Sequence, residues 1–174
     1  PEGRITPGDL GLWGDEHIQF LKRIVTFIHS QGAFAGIQLA HAGRKASCAV
    51  PWEGGKQLDG FHGGWQTVAP SELAFQAGER VPVALNPEGI SKVISDFKDA
   101  ARRAHASGFD VIEIHSAHGY LLHEFLSPLS NHRADQYGGS FENRIRLLCE
   151  VADAVRSVWP VENPLFVRIS STVW

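Results

Sequence analysis

The sequence contains no methionine and only two cysteines, Cys48 and Cys149, in 174 residues. The cysteines are far apart and neither belongs to a CxxC pair, so neither a disulfide framework nor a structural zinc site is indicated. Such isolated thiols are typical of the reducing cytoplasm, where we expect the protein to be located. The opening residues, PEGRITPGDLG, lack an initiator methionine and are polar and turn-rich, unlike a signal peptide. They read like the interior of a longer chain.

Long apolar runs and blocks of basic residues are also absent. No stretch approaches the roughly 20 apolar residues that span a membrane. The formal net charge is -3, and the lysines and arginines are scattered rather than clustered, so we predict neither a nucleic-acid partner nor a membrane partner. Hydrophobic residues make up 43% of the sequence, enough for one substantial core, and we expect a single domain over residues 1–174.

Hydrophobic periodicity predicts that helices and strands alternate along the chain. The predicted helices begin at the caps Asp15, Asn86 and Ser140 and end near Gln31, Gly108 and Pro160. The predicted strands are AFAGIQL at 33–39, DVIEI at 110–114 and LFVRIS at 165–170, the first being short enough that a helix is an alternative. Residues 40–86 are rich in glycine and proline but also carry four large aromatics, which favours an ordered flap over a disordered linker.

This alternation predicts a parallel α/β sheet with right-handed crossovers. Ligands of such sheets, in barrels and in open sheets alike, bind at the carboxyl ends of the strands. No GxGxxG or GxxxxGK[ST] motif follows any predicted strand, so the pattern favours a barrel over a dinucleotide-binding sheet.

The stretch EIHSAHGYLLHEFLSP places His115 and His118 at the end of the second predicted strand, with Tyr120 two residues later. The HxxH pair is a possible metal site, but the nearest acids, Glu113 and Glu124, do not complete a local ligand set. Structural roles, such as a histidine that donates to a buried carbonyl, are a second interpretation. The third is catalysis, since imidazoles can donate hydrogen bonds to a carbonyl oxygen that gains charge and a tyrosine can supply a proton.

Gln38 and Arg168 lie at the ends of the other two predicted strands. The amide of Gln38 can bind both the donor and the acceptor edge of a flat heterocycle, and the fixed charge of Arg168 would stabilise an anionic reduced ring. Arg168 could equally form an ion pair with Glu113 on a neighbouring strand. Residue types and spacing leave these alternatives open, and they predict only a polar site at the strand ends.

Several longer stretches carry a resemblance to a known family. They are GIQLAHAGRKAS at 36–47, VAPS at 68–71, DVIEIHSAHGYLLHEFLSPLSNHRADQYGGSFENRIRLLCEVADAVR at 110–156, and FVRIS at 166–170. Over almost its whole length the sequence resembles the Old Yellow Enzyme family of FMN-dependent ene-reductases, and within it the bacterial xenobiotic-reductase branch. The run HSAHGYLLHEFLSPLSN followed by YGGSFENR is far more specific than a histidine pair.

The resemblance implies a (β/α)8 TIM barrel with FMN at the carboxyl-terminal mouth. It implies cofactor-binding roles for Gln38, Arg168 and His115, with Gln38 at the flavin pyrimidine and Arg168 beside N1 and O2. His115 and His118 match the pair that holds a substrate carbonyl oxygen, and Tyr120 matches the proton donor; no metal is implied. The reaction implied is reduction of FMN by NADPH or NADH, followed by reduction of the C=C bond of an α,β-unsaturated carbonyl compound.

The length of the chain departs from this family. A complete barrel needs about 250 residues, whereas the three predicted strands resemble the third to fifth of the family order. The chain is therefore predicted to be a central fragment of an ene-reductase, with a possible homo-oligomer as in relatives. A noncatalytic fragment that associates with itself through unpaired sheet edges is the alternative, and a metal-dependent barrel hydrolase is a weaker one.

Overall fold

The computed structural model describes residues 1–172. Its helices are α1 (Glu16–Ser30), α2 (Pro87–Ser107), α3 (Leu121–Leu126) and α4 (Phe141–Arg156). Its strands are β1 (Gly36–Leu39), β2 (Val68–Ala69), β3 (Val83–Ala84), β4 (Val111–Ser116) and β5 (Leu165–Ile169). The three predicted helices and three predicted strands are confirmed in order; α3, β2 and β3 are additions.

The main sheet has three parallel strands in the order β1-β4-β5. In its register Gln38 lies opposite Glu113, and His115 lies opposite Arg168. Since side chains alternate between the two faces of a strand, the polar residues Gln38, Glu113, His115 and Arg168 share one face. The parallel arrangement inferred from the sequence is confirmed, and it brings the polar strand ends to one edge.

The opposite face of the sheet forms the hydrophobic core with the helices. Ile112 and Ile114 of β4 are completely buried there, with Phe97 of α2 and Val151 of α4 in the same cluster. Burial of this apolar area is worth roughly 25 cal/mol for each Å² removed from water. The core therefore fixes β4, and with it the residues that follow β4 at its carboxyl end.

Two of the three predicted helix caps are confirmed. The side chain of Asn86 accepts from Gly89 N–H, and that of Ser140 accepts from Asn143 N–H. The prediction that Asp15 caps α1 is wrong, because Asp15 has helical backbone angles and makes no side-chain cap bond. Its carboxylate instead accepts hydrogen bonds from two arginines of α2, Arg102 and Arg103.

The long loop at 40–86 packs against the N-terminal segment. The guanidinium of Arg4 lies between the rings of Trp13 and Trp65, 5.0 Å and 4.8 Å from their centroids. Trp65 also donates its indole N–H to the carbonyl of Glu2. These contacts agree with the interpretation of the loop as an ordered flap. Within residues 1–172, no helix is both long enough and apolar enough to cross a membrane.

Candidate active site

The structure brings His115, His118 and Tyr120 together at the carboxyl end of β4. The ring of His115 lies 5.0 Å from that of His118 and 4.9 Å from that of Tyr120, measured between centroids, and both contacts are edge-on. His115 is buried in β4, whereas His118 is exposed in the turn that follows. Tyr120 occupies the position just before α3. A buried imidazole thus supports an exposed one beside a phenol.

Hydrogen bonds define the tautomers of the two histidines. Nδ1 of His115 accepts the backbone N–H of Ala117 at 3.1 Å, so the proton of the neutral ring lies on Nε2. That Nε2 is 3.3 Å from Nδ1 of His118, and it can donate there. His118 then carries its own proton on Nε2, and its exposed position makes it the better placed donor for a ligand.

The surroundings favour a neutral His115. Burial lowers the pKa of its imidazole, and the charge of Arg168, together with that of His118 whenever His118 is protonated, lowers it further. At neutral pH the ring is therefore a neutral hydrogen-bond donor rather than a cation. Its burial and its two hydrogen bonds fix its orientation.

Lys45, which sequence reasoning did not single out, completes the environment of Tyr120. Its ammonium lies 5.4 Å from the centre of the Tyr120 ring, and it donates to the carbonyl of His118 at 3.0 Å. Burial raises the pKa of Tyr120, with smaller contributions from Asp9 and Cys48. The phenol therefore holds its proton at neutral pH beside a positive charge that would stabilise the phenolate once the proton has left.

Glu113 connects the other two predicted site residues. Gln38 donates its amide N–H to Oε1 of Glu113, and the same oxygen lies 3.8 Å from the guanidinium of Arg168. The ion pair considered from the sequence is therefore present at long range. The side chain of Arg168 is still about half exposed, so it remains accessible to a ligand. The sequence suggested the pair of Glu113 with Arg168 but not the bond from Gln38, because the register of β1 against β4 decides that contact.

This polar face suits the edge of a flavin. An amide that both donates and accepts, and a fixed cation near it, are the groups that a flat heterocycle with carbonyl and imide edges requires. Gln38 and Arg168 lie on the outer strands, with Glu113 and His115 between them on the same face. The described residues therefore fit the pyrimidine end of FMN.

A cavity of about 570 Å³ borders the site on the side of β1. It lies between α1, α2 and the N-terminal segment, and Gln38, His41 and Tyr120 are among the residues that line it. His115, His118 and Arg168 lie outside it. Most of the cavity wall is apolar.

Metal binding has no support from the geometry of the described residues. Among residues 1–172 no three histidine, cysteine, aspartate or glutamate side chains come together as a metal site would require. His115 and His118 instead form a hydrogen bond with each other.

Comparison with known proteins decides the family. The family model of the NADH:flavin oxidoreductase / NADH oxidase family matches residues 1–173. The chain belongs to this family. An NADH:flavin oxidoreductase of Gibberella zeae is 56% identical over 99% of the chain, and an NADPH dehydrogenase of Bacillus subtilis is 51% identical over 99%. The chain covers 43% and 46% of those two proteins, so it spans less than half the length of these curated relatives.

Solved structures agree with the sequence comparison. Morphinone reductase is 36% identical and superposes with a TM-score of 0.79 over 91% of this chain and 44% of its own. The old yellow enzyme homologue from Zymomonas mobilis is 33% identical, with a TM-score of 0.80 over 97% of this chain and 46% of its own. The resemblance to the Old Yellow Enzyme family is confirmed. The chain has the fold of part of such a protein, whereas the match to the third to fifth barrel strands stays a prediction.

Proposed function

We propose that this chain carries the catalytic face of an FMN-dependent NAD(P)H oxidoreductase that reduces the C=C bond of α,β-unsaturated carbonyl compounds. The observation that carries the proposal is the contact of His115, His118 and Tyr120 at the end of β4, beside a polar face that ends in Gln38 and Arg168. Membership of the flavin oxidoreductase family supports the cofactor, and the names of the relatives support a nicotinamide reductant. A cytoplasmic location stays part of the prediction.

Gln38, Arg168 and His115 would hold the flavin. Gln38 would bind the imide edge through its amide, and Arg168 would place positive charge beside the pyrimidine. When bound, FMN supplies the hydride that is taken from NAD(P)H and delivered to the β carbon of the substrate. A complex of morphinone reductase with tetrahydroNAD shows a nicotinamide analogue in that relative. Both NADPH and NADH are candidate reductants here.

The histidine pair would bind the substrate carbonyl. His118 presents its Nε2 proton from an exposed ring, and His115 orients that ring through the 3.3 Å contact between the two imidazoles. Donation to the carbonyl oxygen stabilises the enolate charge that develops when the β carbon is reduced. Because burial lowers the pKa of His115, this imidazole would act as a neutral hydrogen-bond donor.

Tyr120 would protonate the α carbon. Its ring contacts that of His115, so it lies beside the group that orients the carbonyl, and burial keeps its proton in place. The ammonium of Lys45 would stabilise the phenolate that remains after transfer. Solvent would then return the proton to Tyr120.

Replacement of Tyr120 by phenylalanine tests this assignment. General acid catalysis contributes typically 10² to 10⁴-fold, so we expect the reoxidation of reduced flavin by 2-cyclohexenone to slow by at least about 100-fold. Flavin reduction by NADPH needs no proton from Tyr120 and should change by less than about threefold. Equal rates of enone reduction in the parent and Tyr120→Phe would contradict the role. Phe75, which also contacts Lys45, offers a control as Phe75→Leu, which keeps the phenol.

Self-association is a second candidate function for the isolated chain. Within the described residues β1 and β5 each have one strand neighbour, and Phe166, Val167 and Ile169 of β5 are 56%, 42% and 63% exposed. Unpaired edges with exposed apolar residues promote association between chains.

A visible-absorption titration of the 174-residue chain with FMN, combined with sedimentation velocity, separates the two candidates. A stoichiometric spectral shift that NADPH bleaches anaerobically supports the oxidoreductase. Oligomers that leave the FMN spectrum unchanged support the second candidate. As a control, Gln38→Leu should weaken the shift without altering sedimentation.

A further inference from the structure

Side chains from three separate parts of the chain hold the backbone turn that carries His118. The N–H of His118 donates to Ser170 Oγ at 3.1 Å, and its carbonyl accepts from Lys45 Nζ at 3.0 Å. The N–H of Gly119 donates to Nδ1 of His123 at 2.8 Å. Side chains therefore satisfy three successive polar groups of the backbone.

The turn needs such support because its backbone conformation is unfavourable. His118 has φ of 58° and Gly119 has φ of 73°, so both lie in the left-handed region. A residue with a side chain rarely adopts this region and keeps it only where its surroundings enforce it. The position of the His118 ring depends on this conformation, because the preceding residues are fixed in β4 and the following ones in α3.

We propose that His123 is a positioning residue for the reaction: its unprotonated Nδ1 holds the turn at His118 and Gly119 in the conformation that presents His118 and Tyr120 to the substrate. The catalytic part of this proposal rests on the proposed function, whereas its structural part needs no flavin. Of the three supports of the turn, His123 gives the shortest hydrogen bond. It is buried, with 8% of its surface exposed, and it lies in the first turn of α3.

Protonation of His123 would remove the hydrogen bond that its Nδ1 accepts from Gly119. An imidazolium has no acceptor, so a protonated Nδ1 would direct an N–H toward the N–H of Gly119. Ser170 Oγ, 3.5 Å from the same nitrogen, is itself the acceptor for His118 N–H. When His123 gains a proton, the turn would therefore lose the hydrogen bond at Gly119. The new N–H at Nδ1 would also compete with His118 N–H for Ser170 Oγ.

The groups that face His123 keep it neutral. Burial lowers the pKa of its imidazole, and the charge of Lys45, together with that of His118 whenever His118 is protonated, lowers it further; His115 of β4 also lies within electrostatic range of it. The neighbouring acid, Glu124, directs its carboxylate to the backbone N–H of Arg44. Loss of the Gly119 bond is thus expected only as the pH falls below the ordinary histidine value of 6.5.

Two variants separate the acceptor from the rest of the side chain. In His123→Asn the amide oxygen takes the position of Nδ1 and accepts at every pH, whereas His123→Leu keeps an apolar side chain and has no acceptor. Amide exchange of Gly119, measured by NMR on the 174-residue chain, should be about tenfold faster in His123→Leu than in the parent, the scale of one lost hydrogen bond. His123→Asn should match the parent at pH 7.

The pH dependence distinguishes a positioning role from simple packing. Protection of Gly119 should fall about tenfold in the parent as the His123 ring titrates, and stay constant in His123→Asn. The rate at which 2-cyclohexenone reoxidises the reduced, FMN-loaded protein should behave in the same way. At pH 7 the parent and His123→Asn should react at similar rates. As the pH falls and His123 gains a proton, only the parent should become slower. The proposal would be overturned if Gly119 were equally protected from exchange in all three proteins, or if its protection in the parent did not change with pH. Absence of any enone reduction in the parent would instead overturn the proposed function, and the exchange data would still decide the role of His123.

Discussion

Replacement of Glu124 by glutamine should remove a pH-dependent cost from the stability of the chain. Glu124 is 1% exposed; one carboxylate oxygen accepts the backbone N–H of Arg44 at 2.9 Å, and the other has no hydrogen-bond partner. Burial raises the pKa of this carboxyl from 4.5 to about 8, although Arg44 and Lys45 act in the opposite direction. The buried acid is therefore largely neutral in the folded chain at pH 7, whereas in the unfolded chain it is ionised.

The direction of the effect follows from this difference. Because the folded pKa lies above the unfolded one, the contribution to stability is fully present below pH 4.5 and is lost as the pH rises toward 8. Each pH unit in that window lowers the free energy of unfolding by about 1.4 kcal/mol. The total loss is about 3 kcal/mol at pH 7 and nearly 5 kcal/mol above pH 8. A glutamine at this position keeps the acceptor for Arg44 and cannot ionise. Its own packing cost does not vary with pH.

Urea unfolding followed by tryptophan fluorescence at pH 4.5, 7 and 8.5 measures the effect. The free energy of unfolding of Glu124→Gln minus that of the parent should rise by about 4 kcal/mol or more across this range. Glu162→Gln, the same change at an exposed position, should give a difference that stays constant within about 0.5 kcal/mol. A constant difference for Glu124→Gln as well would refute the assignment of a neutral, buried acid.

Two further predictions concern the loop at the end of β1. Burial lowers the pKa of His41 from 6.5 to about 4, so the free energy of unfolding should fall by about 3 kcal/mol as the pH drops from 7 to 4. Urea unfolding of the parent and of His41→Asn at these two pH values tests this. An equal decrease in the free energy of unfolding of both proteins would contradict it. Gly43→Ala should destabilise by about 2 to 4 kcal/mol, because its φ is 61° and the new Cβ would lie closer than van der Waals contact to Oε1 of the buried Glu124. Gly32→Ala is the control: its φ is 76°, but the new Cβ would meet open space, so it should cost about 1 kcal/mol. Equal decreases in the melting temperature of the two variants would show that the contact with Glu124 adds no destabilisation.

Local signals in the sequence were sufficient for most of the fold. The cap at Asn86, the first-turn Pro87 and the stop at Gly108 are features of neighbouring residues, and they bound α2 as predicted. Asp15 has the same kind of signal but fails, because two arginines 87 and 88 residues away take its carboxylate. Competition from distant partners cannot be seen in a local pattern.

The short elements escaped prediction for a different reason. The helix α3 has six residues, less than two turns, so it shows no complete hydrophobic period. Its N-cap position is held by Tyr120, which forms no side-chain cap bond. The strands β2 and β3 contain two residues each, and their pairing depends on the path of the long loop.

Within the candidate site, the sequence indicated the strand ends but not the contacts between them. Parallel strands predict that Gln38, His115 and Arg168 lie at one edge, and the register confirms it. Lys45 was not predicted, since it comes from a loop 73 residues before His118 in sequence. The roles of all these residues with FMN stay predictions that the family supports.

The most direct test of the proposed function is the anaerobic reaction of the FMN-loaded, NADPH-reduced 174-residue chain with 2-cyclohexenone. Flavin absorption and product formation are followed together. We predict that the oxidised flavin spectrum returns and that one cyclohexanone forms for each reduced flavin. Flavin that stays bleached in the presence of the enone, or that is reoxidised without formation of cyclohexanone, would contradict ene reduction by this chain.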